Sequence, residues 1–461
     1  MSRRSFYSRY SSTFCFFPVF LPLVELLPWF LALLGLLAGG VHFLGKLIWK
    51  RKIFRFITLF ISVGLFSAAG WLVWQRFVDR PIESIGSELE KTLPELEILS
   101  IQRSKFPAMK NIKPLTQLWK IVTPYDNLGK PVVHDGVLFS GSMDSTFDAF
   151  DAADGHRLWT LHKREPVFTP PTIAGGRVFI GEGHHTSPSC GLTSLSLDGT
   201  PQWSRLFRSH LESQPMVDAL NNRLWQAGGA TGLWALSMDK GEKIWWQQLG
   251  HMDVPPLYSD GRLFVVAKLK EDADGVAVFE MNPDNGNIKW KTPLEGNTMG
   301  SIWRDGKRIY LSTAIGQVGV LESTDSGWVY GLTFDGTVEW KTKLPSMPLP
   351  EGAISDDGEL LFYTLKDGSI IALHTNNGDI VWREKIGDEI QTDIALIDEE
   401  GVSLVVAIAK DGNVSIRESL TGNEYTHFTV ESGDSNPIYA GGILYIVTPT
   451  TISAYAGFGR N

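Results

Sequence analysis

Residues 234–245 read WALSMDKGEKIW. An apolar run, a short polar turn containing a glycine, and a tryptophan four positions beyond that glycine form one unit, and the chain repeats it. DAADGHRLW, LSLDGTPQW, NPDNGNIKW, LTFDGTVEW and HTNNGDIVW keep the spacing, giving the pairs Gly155/Trp159, Gly199/Trp203, Gly241/Trp245, Gly286/Trp290, Gly336/Trp340 and Gly378/Trp382. A seventh copy, SLTGNEYTH, keeps Gly422 but places Thr426 where the tryptophan would stand. Successive glycines lie 44, 42, 45, 50, 42 and 44 residues apart. A period of about 40–45 residues is the size of a four-stranded propeller blade.

A second signal sets the count. Tight turns followed by strand-forming runs occur eight times: DGVLFSG, GGRVFIG, NNRLWQA, DGRLFVV, DGKRIYL, DGELLFY, EGVSLVV and GGILYIV. Asp-Gly, Gly-Gly and Asn-Asn supply the positive φ angles of two-residue hairpins, and Val, Ile, Leu, Phe and Tyr supply the strands. Eight turns imply eight blades, yet only seven blade-closing strands follow them. The missing strand lies upstream, where Gln117-Leu-Trp-Lys-Ile121 carries an orphan tryptophan, Trp119. The fold expected is an all-β, eight-bladed propeller of four-stranded blades over residues 113–461. Its last blade, Asn436–Ala456, is closed by the N-terminal strand, so the ring has no open edge. The tryptophans are expected to pack between blades.

The stretches WALSMDKGEKIW, IALHTNNGDIVW and DAFDAADGHRLW resemble the pyrroloquinoline-quinone-type propeller repeats, over residues 115–457. That resemblance implies the fold. For function it implies either of two things. One is a periplasmic quinone-dependent alcohol or sugar dehydrogenase; the other is a non-catalytic scaffold like the BamB-type lipoprotein of outer-membrane assembly.

Ahead of the repeats the composition changes. Residues 1–80 hold ten Lys and Arg against Glu25 and Asp79. With 42 basic and 51 acidic residues in the whole chain, the remainder carries 32 against 49, a balance of −17. An acidic globular part excludes the basic footprint of a nucleic-acid binder. Phe56–Trp74 is 19 residues without a charge, closed by Trp71 and Trp74, and reads as a transmembrane helix. An earlier apolar stretch, about 20–45, contains Glu25 and prolines 22 and 28 and reads as a second span or a re-entrant hairpin. Residues 1–80 are therefore expected to be an α-helical membrane anchor. Arg3, Arg4 and Arg9 ask for a cytoplasmic N-terminus, and the cluster from Lys46 to Arg55 asks more strongly for a cytoplasmic loop. Two full spans cannot satisfy both. Either the loop's preference or a re-entrant hairpin leaves the propeller on the periplasmic or external face of a cell inner membrane. Residues 81–112 read as a linker, with a short polar helix broken at Pro94.

In an up-and-down blade with strands A to D from the axis outward, the A–B and C–D turns share one face. The B–C loops and D–A connections share the other. All the tight turns above fall on the first face, so long connections gather on the second, where function is expected. They include GEGHHTSPSC (181–190), VAKLKEDADG (266–275) and LSTAIGQVGVLESTDSG (311–327). The D–A connections SHLESQP and GHMDVPP, aligned on Pro215 and Pro256, place His210 beside His251 and Glu212 beside Asp253. With His184 and His185 of the intervening loop, these six residues form a candidate site for zinc or a related divalent metal, since imidazole and carboxylate suit such ions. The reading set against it is ordinary: strand-entry histidines that bond backbone, and solvated loop histidines. Some propellers of this repeat class are similar here, with a Gly-x-Gly-x-His loop (Gly181 to His185), a Cys-x-Leu (Cys190 to Leu192) and a Ser-His-x-Glu-Ser-x-Pro (Ser209 to Pro215). That similarity implies no activity.

The quinone enzymes of the resemblance hold their cofactor between a tryptophan and a disulfide of adjacent cysteines, with an aspartate base beside a calcium. This chain has two cysteines, Cys15 and Cys190, far apart. Quinone binding of that kind is disfavoured, and no cofactor is expected. No Gly-x-Ser-x-Gly elbow, Walker loop or Cys-x-x-Cys pair is present either. The function expected is a membrane-anchored binding scaffold whose loop face meets a protein or cell-envelope polymer. The alternative is a quinoprotein-like or metal-dependent enzyme or sensor.

Overall fold

The computed structural model describes residues 94–100, 102–104, 115–123, 129–184, 187, 189–269, 275–315, 326–399 and 401–458. Both apolar segments of the expected anchor, most of the linker, His185 and the middles of the two longest loops lie outside these residues. Among the described residues no helix is long and apolar enough to cross a membrane.

The described strands form eight antiparallel sheets, one per repeat. Blade 1 runs Val132–His134, Val137–Gly141, Thr146–Asp151 and Arg157–His162 as strands A to D. The other blades follow the same order, and the A strands of neighbouring blades adjoin, which puts them at the axis. Blade 8 takes its A, B and C strands from Asn436–Ala440, Ile443–Val447 and Thr451–Ala456. Its fourth strand is Thr116–Val122, with Trp119 opposite Ala454, so the N-terminal strand closes the ring as its sequence implied. B and C strands are almost wholly buried, as in Val137–Gly141 and Thr146–Asp151, while A strands are half-buried along the axial channel. Hydrophobic side chains gather in eight clusters, one at each seam between adjacent blades.

The glycine–tryptophan unit works across seams rather than within a blade. Each tryptophan lies under the C–D turn glycine of the next blade. Trp119 meets Gly155, Trp159 meets Gly199, Trp203 meets Gly241, Trp245 meets Gly286, Trp290 meets Gly336, Trp340 meets Gly378 and Trp382 meets Gly422. At Gly378 the φ is +72° and a Cβ would stand 2.4 Å from the Trp340 ring, so the turn and the close approach both require glycine. Several indole N–H groups donate into the same neighbouring turn, for example Trp340 Nε1 to the Thr375 carbonyl at 3.0 Å and Trp382 Nε1 to the Ser419 carbonyl at 2.8 Å. The seam between blades 7 and 8, where Thr426 replaces tryptophan, is filled by Phe428 and Tyr455, whose ring centroids are 4.7 Å apart.

The segment after Pro94 departs from the expected linker. Glu95–Ile98 is a fifth, outermost strand on blade 1, pairing antiparallel from Glu95 opposite His162 to Ile98 opposite Trp159. Alternation in ELEI puts the two apolar side chains two residues apart, which suits a strand on an otherwise open edge. Beyond it the chain is latched to the turn face. Arg103 Nε donates to the buried Asp151 carboxylate at 3.1 Å, and the Ser104 hydroxyl donates to Asp154 at 2.5 Å. The turn face of blade 1 is thus covered by the chain itself, and is not the plain surface its short turns implied.

Candidate functional site

The loop face is built as the D–A and B–C connections require. Leaving blade 1, Lys163 forms an ion pair with Glu182 of blade 2 at 3.1 Å, both side chains about 97% buried. Glu182 also accepts from the Gly191 N–H at 2.8 Å, and Lys163 donates to the Thr193 hydroxyl at 2.6 Å. The first residues of GEGHHTSPSC are therefore tied into the seam. Gly183 sits so close to Cys190 that a Cβ there would come within 1.9 Å of the sulfur. Burial pushes the Cys190 thiol up to about 12, helped by the charges of Glu165 and Glu182. A thiol so protonated is neither a nucleophile nor a ready metal ligand. His184 is exposed, edge-on to Phe168 with centroids 6.1 Å apart.

Three of the six candidate metal-site residues are brought together. Asp253 accepts from both histidines: His210 Nε2 lies 2.9 Å from one carboxylate oxygen and His251 Nε2 lies 2.5 Å from the other. The imidazole centroids are 5.2 Å apart. Burial opposes charge on His210, but the bond to Asp253, with the charges of Asp253 and Glu212, outweighs it and raises its proton affinity. Burial likewise opposes charge on Asp253, yet the two histidine bonds hold its carboxyl well below the usual carboxylate range. Glu212 thus lies near enough to act on His210, while His184 stands apart from the trio and His185 is outside the described residues.

Sequence reasoning missed a second polar cluster. Lys130 enters blade 1, Glu351 enters blade 6 and Asp393 enters blade 7, each two residues ahead of an A strand. Lys130 Nζ bonds the Glu351 carboxylate and lies 3.3 Å from Asp393. Blades 6, 7, 8 and 1 follow one another around the ring, so these side chains meet by reaching into the channel, and the cluster braces that side of its mouth on the loop face. Burial and the neighbouring Glu351 charge push the Asp393 carboxyl up to about 7, with Lys130 partly offsetting them. Burial opposes charge on Lys130 too, but the two carboxylates outweigh it and raise its pKa. The signal available in sequence was one position, two residues before the A strand, reading Lys, Glu and Asp in GKPVV, EGAIS and TDIAL.

Pyrroloquinoline quinone does not fit these residues. Adjacent cysteines are missing, and the single described thiol is buried within a seam.

Comparison with known proteins agrees with the fold and divides on activity. The quinoprotein alcohol dehydrogenase PedH of Pseudomonas putida is 23% identical over 359 residues, 70% of this chain, which spans about half (49%) of that protein's length. The outer membrane protein assembly factor BamB of Salmonella typhimurium is 24% identical over 321 residues, 62% of this chain and 74% of that protein. The crystal structure of BamB from Moraxella catarrhalis superposes with a TM-score of 0.56 at 13% identity, covering 76% of this chain and 99% of that one. A family model matches residues 63–221 and 198–349, and the chain belongs to that family, described as Outer membrane protein assembly factor BamB.

Proposed function

We propose that the chain is a non-catalytic binding scaffold of the bacterial cell envelope, held at a membrane by residues 1–80 and presenting its loop face to a protein partner. The observation that carries this reading is the Lys130–Glu351–Asp393 brace: charged groups at the channel mouth on the loop face are committed to one another and hold blades 1, 6 and 7 together. Family membership supports the envelope location, and the Salmonella relative, an outer membrane protein assembly factor, supports a protein partner. The balance of −17 over residues 81–461 favours a partner with a basic contact surface. The alternative of a quinoprotein enzyme has the Pseudomonas relative in its favour but lacks adjacent cysteines.

Titrating the purified full chain in detergent with pyrroloquinoline quinone and calcium separates the two. The scaffold reading expects no saturable quenching of tryptophan fluorescence and no alcohol-dependent dye reduction. Stoichiometric quinone binding with dye reduction would make the chain a dehydrogenase.

A further inference from the structure

We propose that His210, His251 and Asp253 form a binding site for one divalent transition-metal ion of the zinc class, clamping blades 3 and 4 together on the loop face. The inference does not depend on the scaffold reading.

The three residues come from two successive D–A connections, yet one donor atom from each lies within 4.8 Å of the other two. Both imidazoles present the same ring nitrogen, Nε2, to the two oxygens of a single carboxylate. Zinc takes nitrogen and carboxylate ligands at about 2.0–2.1 Å, so ligand atoms around a tetrahedral ion stand roughly 3.3 Å apart. Around one ion the two N···O separations of 2.9 and 2.5 Å would open by less than about 1 Å, while the donor nitrogens of the two rings, within 4.8 Å of one another, would draw together. Side-chain rotation of His251, 35% exposed, and of the Asp253 carboxylate, 23% exposed, supplies both movements around His210, which is 8% exposed.

The backbone around the site is fixed. The His251 N–H donates to the Lys268 carbonyl at 3.0 Å, and the Lys268 N–H returns a bond at 2.9 Å. Next to it, Met252 exchanges bonds of 3.0 and 3.1 Å with Gly229 of blade 3. Gly229 in turn closes the floor under His210. It has a φ of +50°, and a Cβ there would come 2.5 Å from His210 Nε2. A donor set mounted on ladder-bonded backbone is preorganised, which is what distinguishes a built site from histidines that meet by chance. Two imidazoles and one carboxylate are the ligands of zinc and its neighbours rather than of calcium or magnesium, which take oxygen sets. Three protein ligands leave a fourth position, and the exposed side of His251 opens it to water.

The test uses the full chain purified without a histidine tag, stripped with chelator and titrated with Zn²⁺ alone, then with Co²⁺ as a spectroscopic probe. One equivalent of Zn²⁺ should bind, and Co²⁺ should give the intense visible bands of a four-coordinate ion. Loss of outer partners around a metal ligand already weakens binding about 10–100-fold, so His251→Gln, which removes a ligand, should weaken Zn²⁺ at least about 100-fold. His251 is chosen because its exposure leaves folding intact, checked by an unchanged melting curve. Asp253→Asn gives a second reading at the carboxylate. Ca²⁺ should show no saturable binding. A chain that takes up no Zn²⁺, or that binds it equally well in both variants, overturns the proposal and leaves the trio a hydrogen-bonded clamp.

Discussion

Deleting the closing strand Thr116–Val122 is expected to abolish cooperative folding. Blade 8 would then end at Thr451–Ala456, a strand whose six residues are all buried and which would become an open edge. The seam to blade 1 would lose Trp119, which lies under Gly155, donates to the Ala152 carbonyl at 3.2 Å and packs against Tyr445 at 6.0 Å between centroids. The Lys120–Glu431 pair, which ties the closing strand to the exit of blade 7, would go with it. A ring concentrates the damage, because each blade is stable only against two neighbours. The point variant Trp119→Ala should keep the fold but cost about 3 kcal/mol, the low end for removing a large aromatic because the indole is only half-buried. Chemical denaturation and size-exclusion chromatography of the full chain in detergent read both. A deletion variant that stays monomeric and unfolds like the parent would contradict closure by this strand.

Lys130→Met is expected to destabilise the propeller by about 3 kcal/mol near neutral pH, the low end for breaking a buried ion pair because these side chains retain some exposure. Methionine keeps the volume and removes the cation, leaving the Glu351 and Asp393 carboxylates facing each other across the mouth. The effect has a pH signature. Asp393 is pushed up to about 7 in the fold, above the value of about 3.9 in an unfolded chain, so the folded state binds that proton more tightly. Its contribution to stability is complete below about pH 4 and is lost as pH rises to about 7. Without Lys130 the carboxyl's pKa rises further and this loss continues above pH 7, so the variant's deficit should shrink as pH falls from about 8 to about 6. A deficit that is absent, or constant across that range, would show that the three groups do not act together.

The count of blades was legible because the glycine–tryptophan spacing recurs at a fixed period and each hairpin announces itself with a two-residue turn. The role of the tryptophans as packing between blades was legible too. Which glycine each one meets was not: Trp340 and Gly378 belong to successive repeats, and a local motif hides that pairing. The histidine trio was half visible, since aligning Pro215 with Pro256 set His210 beside His251, yet Asp253 turns out to serve both rings, and His184 of the intervening loop points elsewhere. The Lys130 brace stayed hidden for a topological reason. Its members are 221 and 263 residues apart in sequence and meet only after the ring closes. The strand Glu95–Ile98 was missed because four residues with two acids carry too weak an alternation to outweigh the charge around them.

The claim that the loop face is the working surface is tested most directly by photo-crosslinking in cells. A photoactivatable residue is placed at the exposed Ala230 and Asp388 of the loop face, and at the exposed Leu220 and Asp335 of the turn face. One or a few discrete adducts with envelope proteins are expected from Ala230 and Asp388, and none from the turn positions. Adducts from the turn face alone, or from neither face, would contradict it.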